Sequence, residues 1–135
     1  MQYSSEDYID HRINKAWLTY NDAKALAALH SWNSSINRLY YACFYIVLAL
    51  FARYDIESHT HSGVKTQLTL RFIKTGRLDR PLGLLYTDLF DFRHKGDYGD
   101  FFDFNEQQVM LLIPQVEHFI REVENLISKD APSPI

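Results

Sequence analysis

Apolar side chains return every three or four residues through most of this chain, a spacing that predicts helices rather than strands. Ile9, Ile13, Ala16, Trp17, Tyr20, Ala23 and Ala27 form one stripe, which continues to about Leu29. Ser4 or Ser5 is placed to cap its start. The short link His30-Ser31-Trp32-Asn33 leads into a second helix over about Ser34 to Tyr54. A connection this short makes the two helices antiparallel neighbours. From Leu39 to Phe51 the second helix is apolar nearly all round, so it is expected at the centre of a bundle or with one side in a subunit interface. Asn37 and Arg38 are its polar exceptions.

Residues Asp55 to His61 read as a loop. A shorter helix is expected from about Ser62 to Thr75, stopped by Gly76. Asp79 is placed to cap the next helix, with Pro81 in its first turn. That helix carries Leu82, Leu85, Tyr86, Leu89 and Phe90 inward and is expected to end near Gly96, before an aromatic loop. Asn105 and Gln108 have capping-box spacing for a last helix that reaches about Ser128, with Pro114 expected to kink it. The pattern therefore predicts an all-α protein: a four-helix up-and-down bundle with one additional short helix. One domain is expected over residues 1–130, with a flexible tail over 131–135.

Composition supports a packed core, since 15% of the residues are aromatic. The single cysteine, Cys43, has no internal disulfide partner, and the N-terminal residues lack the apolar segment of a secretory signal. The longest apolar run, Leu39 to Ala52, has 14 residues and is too short by itself to span a bilayer. A cytoplasmic location is the expectation, with no membrane partner. Charge is uneven. Residues 1–80 carry ten basic and seven acidic side chains, and residues 81–135 carry four basic and ten acidic. Lys65, Arg71, Lys74, Arg77 and Arg80 cluster against one acid, Asp79, which reads either as a solvated helix face or as a surface for phosphates.

Several chemistries are disfavoured. No Glu is followed three residues later by His, so the di-metal pattern of four-helix bundles is missing. One cysteine cannot give a zinc site of Cys/His spacing, and neither a glycine-rich phosphate loop nor a GxSxG elbow is present. No metal and no cofactor are expected. Two segments stand out instead. Arg38 and Tyr41 share one face of the second helix, with Tyr45 a turn further. A cation there needs a buried acid such as Asp88, Asp91 or Asp97, the carbonyls of a helix end, or an anionic ligand. The other segment is Arg93-His94-Lys95-Gly96-Asp97-Tyr98, whose polar groups pair with each other or surround a phosphate.

Four strings carry a family resemblance: Asn37-Arg38-x-Tyr40-Tyr41-Ala42-x-Phe44, His61-Ser62-Gly63-Val64, Phe72-Ile73-Lys74-Thr75-Gly76, and Arg93-x-x-Gly96-Asp97-Tyr98-Gly99. In this order and spacing they resemble a HEPN domain over about residues 10 to 128, similar to the small stand-alone prokaryotic HEPN proteins. The resemblance implies a homodimer that brings two copies of the Arg-containing segment together. It also implies a small nucleotidyltransferase partner, as in toxin–antitoxin pairs. Many members are metal-independent ribonucleases whose motif is Arg, four to six residues, then His. Here the Arg maps onto Arg93, and Tyr98, Gly99 and Asp100 stand where His belongs. A tyrosine has an unperturbed pKa of roughly 10, too high for a ready base at neutral pH. The motif thus keeps a phosphate-holding cation and lacks its proton-transfer group.

Three functional readings follow. In the first, the chain binds nucleotide or RNA phosphate at a dimer cleft through Arg93, with Tyr98, Arg38, Tyr41 and His61 in support. In the second, it is an active endoribonuclease toxin in which His61 or His94 replaces the missing histidine, making Arg93, His94, Asp97 and Tyr98 the catalytic candidates. In the third, it is an interaction bundle without ligand, and Arg93 and Asp97 form an internal pair.

Overall fold

A computed structural model describes the backbone of residues 5–98 and 103–129, and the side chains of 5–93 and 103–128. Five α-helices follow in order: α1 (Ser5–Ala28), α2 (Trp32–Arg53), α3 (His61–Leu68), α4 (Arg80–Tyr98) and α5 (Glu106–Lys129). No strand occurs among the described residues, and the all-α expectation holds. The tail 131–135 lies outside the described residues.

α2 is the centre of the arrangement, packing against α1, α4 and α5 and touching α3. Its residues Leu39, Tyr40, Ala42, Cys43, Ile46, Val47, Ala49 and Leu50 are all fully buried. By length and composition α2 could cross a membrane, because the helix extends well beyond its 14-residue apolar run. However, 67% of its most apolar window is buried inside the bundle, which makes it a core helix here. One strip of α2 stays half-exposed: Arg38, Tyr41, Tyr45, Leu48 and Ala52.

The α1–α2 pair is close because Ala16, Ala23 and Ala27 of α1 are buried small residues. Its turn needs a left-handed residue, which His30 supplies at φ 60°. The link is shorter than its polar sequence suggests, since Trp32 and Asn33 already belong to α2. Ser35, buried mid-interface, satisfies its hydroxyl by donating to the Ala23 carbonyl at 2.8 Å. Asn33 Oδ1 accepts from the Phe104 backbone N–H at 2.8 Å, so the start of α2 holds the segment that leads into α5.

α5 begins with the expected reciprocal cap. The Asn105 side chain accepts from the Gln108 N–H, and the Gln108 side chain accepts from the Asn105 N–H, both at 2.9 Å. Pro114 lies inside the helix without ending it. On the α1 side, Trp17 donates to Glu124 at 2.8 Å.

The shorter helix departs from a plain α pattern. After α3 the chain widens into a π-helical turn over Thr69–Ile73, closed by Lys74 N–H donating to the Thr69 carbonyl at 2.9 Å. Within that turn Phe72 is buried and packs on Phe51 and Tyr54. Gly76 then takes φ 78°, as its position after the helix requires.

Candidate functional site

α2, α3 and α4 meet in an aromatic cluster that holds one histidine and one arginine. Arg93 comes from the outer half of α4 and Tyr40 and Tyr41 from the middle of α2. His61 is the first residue of α3, and its placement is local. Thr60 caps α3 by accepting the Gly63 N–H at 2.9 Å. A Cβ at position 63 would stand 2.7 Å from Thr60 Oγ1 and 2.8 Å from Ser58 Oγ. The glycine of the His61-Ser62-Gly63 string therefore permits the tight cap that sets His61 at the helix start.

His61 Nδ1 and the Tyr40 hydroxyl are 2.8 Å apart. The imidazole lies 4.5 Å from the Phe44 ring and 5.7 Å from both Tyr40 and Tyr41. Arg93 Nη1 donates to the Tyr41 hydroxyl at 3.3 Å, and the guanidinium carbon lies 5.3 Å from the Tyr40 ring centre. Arg93 Nε is buried with no hydrogen-bond partner among the described residues. No carboxylate among the described residues forms an ion pair with it. Arg38 also reaches the cluster, 5.0 Å from the Tyr41 ring centre. It donates to Asn37 at 2.9 Å, and among the described residues it pairs with neither Asp88 nor Asp91.

The electrostatics follow from burial around one cation. Burial pushes the Tyr40 hydroxyl up to about 12, although the neighbouring Tyr86 hydroxyl and, secondarily, the Arg93 charge pull it the other way. Burial also raises Tyr86 well above its ordinary value. The Tyr40 hydroxyl adds to that rise, yet among the described residues the Tyr86 hydroxyl has no partner in hydrogen-bond geometry. Burial, and secondarily the Arg93 charge, lower His61 from its ordinary value, so the imidazole is neutral at pH 7. With a protonated tyrosine and a neutral imidazole, the short contact has two arrangements. Either Tyr40 donates to Nδ1, leaving Nε2–H as a donor, or Nδ1–H donates to Tyr40, leaving Nε2 as a base.

A lowered histidine makes folding sensitive to acid. The unfolded chain binds the His61 proton at a higher pH than the folded chain does, so this contribution is present above the unfolded value of roughly 6.5 and is lost as pH falls through the folded value. Thermal melts of His61→Gln are therefore expected to fall less steeply than wild type between about pH 7 and pH 5. Parallel slopes would show that His61 is not held neutral.

The structure brings together four of the residues singled out from the sequence: Arg38, Tyr41, His61 and Arg93. The side chains of His94, Asp97 and Tyr98 lie outside the described residues, although the backbone of all three continues α4, beyond its expected end near Gly96. Tyr40, within the apolar run of α2, and Tyr86, expected to face inward, are both core by burial, but Tyr40 also grips His61. Tyr86 stands two helical turns before Arg93, a spacing that aligns both on one face. Cys43 is fully buried, and burial pushes its thiol up, so it offers no nucleophile. Among the described residues no three His, Cys, Asp or Glu side chains are grouped to hold a metal ion.

A family model described as "HEPN domain" matches residues 9–126. The chain belongs to the HEPN family. Among its relatives, a UPF0332 protein of Thermotoga maritima is 36% identical over 122 residues, covering 90% of this chain and 92% of the relative. A Methanocaldococcus jannaschii protein named "Putative toxin MJ0142" is 27% identical over 131 residues, covering 96% and 88%. A UPF0332 protein of Archaeoglobus fulgidus is 24% identical, covering 92% and 98%. The HEPN match spans all the elements that build the cluster, from α1 through most of α5.

Proposed function

We propose that this chain is a HEPN toxin-like protein whose Arg93 site binds the phosphate of RNA or of a nucleotide. The observation that carries the reading is the state of Arg93: a half-buried guanidinium with an unpartnered Nε and no carboxylate partner among the described residues. Such a cation is costly unless an anion completes it. Tyr41 fixes the guanidinium from one side, and neutral His61 adds no competing charge. Arg38 supplies a second cation on the Tyr41 ring, suited to a diester or a polyphosphate. In this reading the protein acts in the cytoplasm as a homodimer whose two Arg93 segments share a cleft, beside a nucleotidyltransferase partner. The relative named as a toxin supports the toxin-like role.

His61 favours a second reading, a metal-independent endoribonuclease. It stands in the field of Arg93 and fills, from another helix, the role left empty by the motif. With Nε2 as base, His61 takes the 2′-hydroxyl proton while the 2′-oxygen bonds to phosphorus. Arg93 holds the developing phosphorane charge, and the 5′-oxygen leaves with a proton from solvent or an acid, giving a 2′,3′-cyclic phosphate.

Two measurements test the site that both readings share, and a third separates them. Millimolar adenosine monophosphate is expected to raise the melting temperature of wild type and to leave Arg93→Ala unmoved, because only a folded-state ligand stabilises. An equal shift in both proteins would remove Arg93 from the site. Expressed alone, the wild type is expected to arrest growth and Arg93→Ala to relieve the arrest. The cleavage reading further requires that purified wild type shorten RNA and that His61→Gln stop it; intact RNA leaves binding alone.

A further inference from the structure

The half-exposed strip of α2 carries more than the Arg93 site. Arg38, Tyr41 and Tyr45 stand one turn apart along it, and α1 lays two further cations beside Tyr45. The Tyr41 and Tyr45 ring centres are 5.9 Å apart. Arg12 and Lys15 lie 5.6 and 5.2 Å from the Tyr45 ring centre. Arg12 also donates to the Tyr8 hydroxyl at 3.2 Å and lies over that ring, so the series continues to the start of α1. Arg38, Arg12 and Lys15 form no ion pair among the described residues, and Glu6 on the same helix is engaged by Arg53.

We propose that this ladder of tyrosines and cations is a binding track for a single-stranded polynucleotide, running from the Arg93 site over Tyr45 onto α1. The proposal rests on the reading that the Arg93 site holds phosphate, and extends it to residues outside the Arg93 motif. Single-stranded nucleic acids bind where cations follow the backbone and planar groups accept the bases. Tyrosine rings and the outer faces of Arg12 and Arg38 are such planes, and bases stack on both. Lys15 is exposed and flexible, free to leave the Tyr45 ring for a phosphate as a base takes its place. From Arg38 to Tyr45 the α2 portion alone rises about 10 Å, longer than a mononucleotide phosphate needs. A duplex hides its bases and would forfeit the stacking half of the interaction.

The test uses the full chain with a 5′-labelled oligouridylate in fluorescence anisotropy, and adenosine monophosphate in thermal shift. Tyr45→Leu keeps an apolar side chain on α2 and is expected to weaken oligouridylate binding about tenfold, the order of one lost base stack. Arg12→Gln with Lys15→Gln is expected to weaken it further and to reduce the slope of log affinity against log salt by about 1.4, the loss of two backbone contacts. Both variants should keep the wild-type melting temperature and the wild-type response to adenosine monophosphate. Unchanged oligouridylate affinity in both overturns the track and leaves the Arg93 reading in place. Loss in both, with Arg93→Ala harmless, keeps the track and removes the Arg93 reading. Equal affinity for a matched duplex overturns the stacking role, as does a Tyr45→Leu loss that appears only with a lowered melting temperature. Wild type that binds neither ligand overturns both proposals.

Discussion

Truncating Phe119 to alanine is expected to lower the unfolding free energy by about 3–5 kcal/mol, as for large aromatic truncations in closed cores. Phe119 is fully buried on α5 and stacks on Tyr86 of α4, with ring centres 5.9 Å apart. Its loss removes both the transfer free energy of a ring and the contacts of its neighbours, since a core this close-packed relaxes only partly. The domain as a whole is expected to be stable by about 5–15 kcal/mol, so this one change consumes a large share. Leu111→Ala on the same helix is the control. Leu111 is 60% exposed, and its truncation is expected to change stability by about 0.5 kcal/mol or less. Urea denaturation of the two variants checks the contrast, and a Phe119→Ala cost near that of Leu111→Ala would contradict the packing described here. The position also matters for the site, because Phe119 backs Tyr86, and Tyr86 is coupled to Tyr40 and through it to His61.

The parts of the fold legible in the sequence are those governed by local spacing. The stripe of α1 runs as its three-four pattern requires, Asn105 and Gln108 cap α5 reciprocally, and Gly76 sits left-handed after its helix. Each depends on residues within about one turn. The departures are tertiary. Trp32 and Asn33 look like link residues, but joining α2 lets Asn33 hold the Phe104 backbone. The π turn at Thr69–Ile73 breaks no local rule, and the burial of Phe72 between helices leaves no trace in spacing. The site divides in the same way. Arg93 came from a polar segment and the family motif, and His61 from the family resemblance, whereas Arg38 and Tyr41 were recoverable because a cation on an apolar helix face needs a partner. Tyr40 was not, since a tyrosine in an apolar run reads as core until His61, 21 residues away, is seen against its hydroxyl. Of the partners open to Arg38, Asp88 and Asp91 are exposed and do not pair with it; a tyrosine ring lies against it instead, and the Asp97 side chain lies outside the described residues.

Replacing Arg93 with methionine is expected to weaken phosphate-ligand binding about 10- to 100-fold while changing the stability of the ligand-free protein by about 1 kcal/mol or less. The two halves of this expectation come from the same contacts. Among the described residues Arg93 has one long hydrogen bond, to Tyr41, and a position over the Tyr40 ring. A hydrogen bond contributes about 1 kcal/mol net, and a half-exposed cation–π contact about as much. Against them stands the buried Nε without a partner, which costs about 1–3 kcal/mol. These terms nearly cancel, and methionine keeps much of the stem packing against Tyr40 and Tyr41 without any charge. A ligand phosphate changes the balance, because it completes the guanidinium with charge-assisted bonds that only the arginine can make. On the proposed reading the cation adds little to the fold and much to binding, the usual trade of stability for function. An internal pair predicts the opposite. Breaking a buried ion pair costs about 3–5 kcal/mol, so a loss of that size in Arg93→Met, read by urea denaturation without ligand, would assign Arg93 to the fold. A loss within about 1 kcal/mol, together with binding lost in the same variant, would leave the anion site as the reason for this arginine.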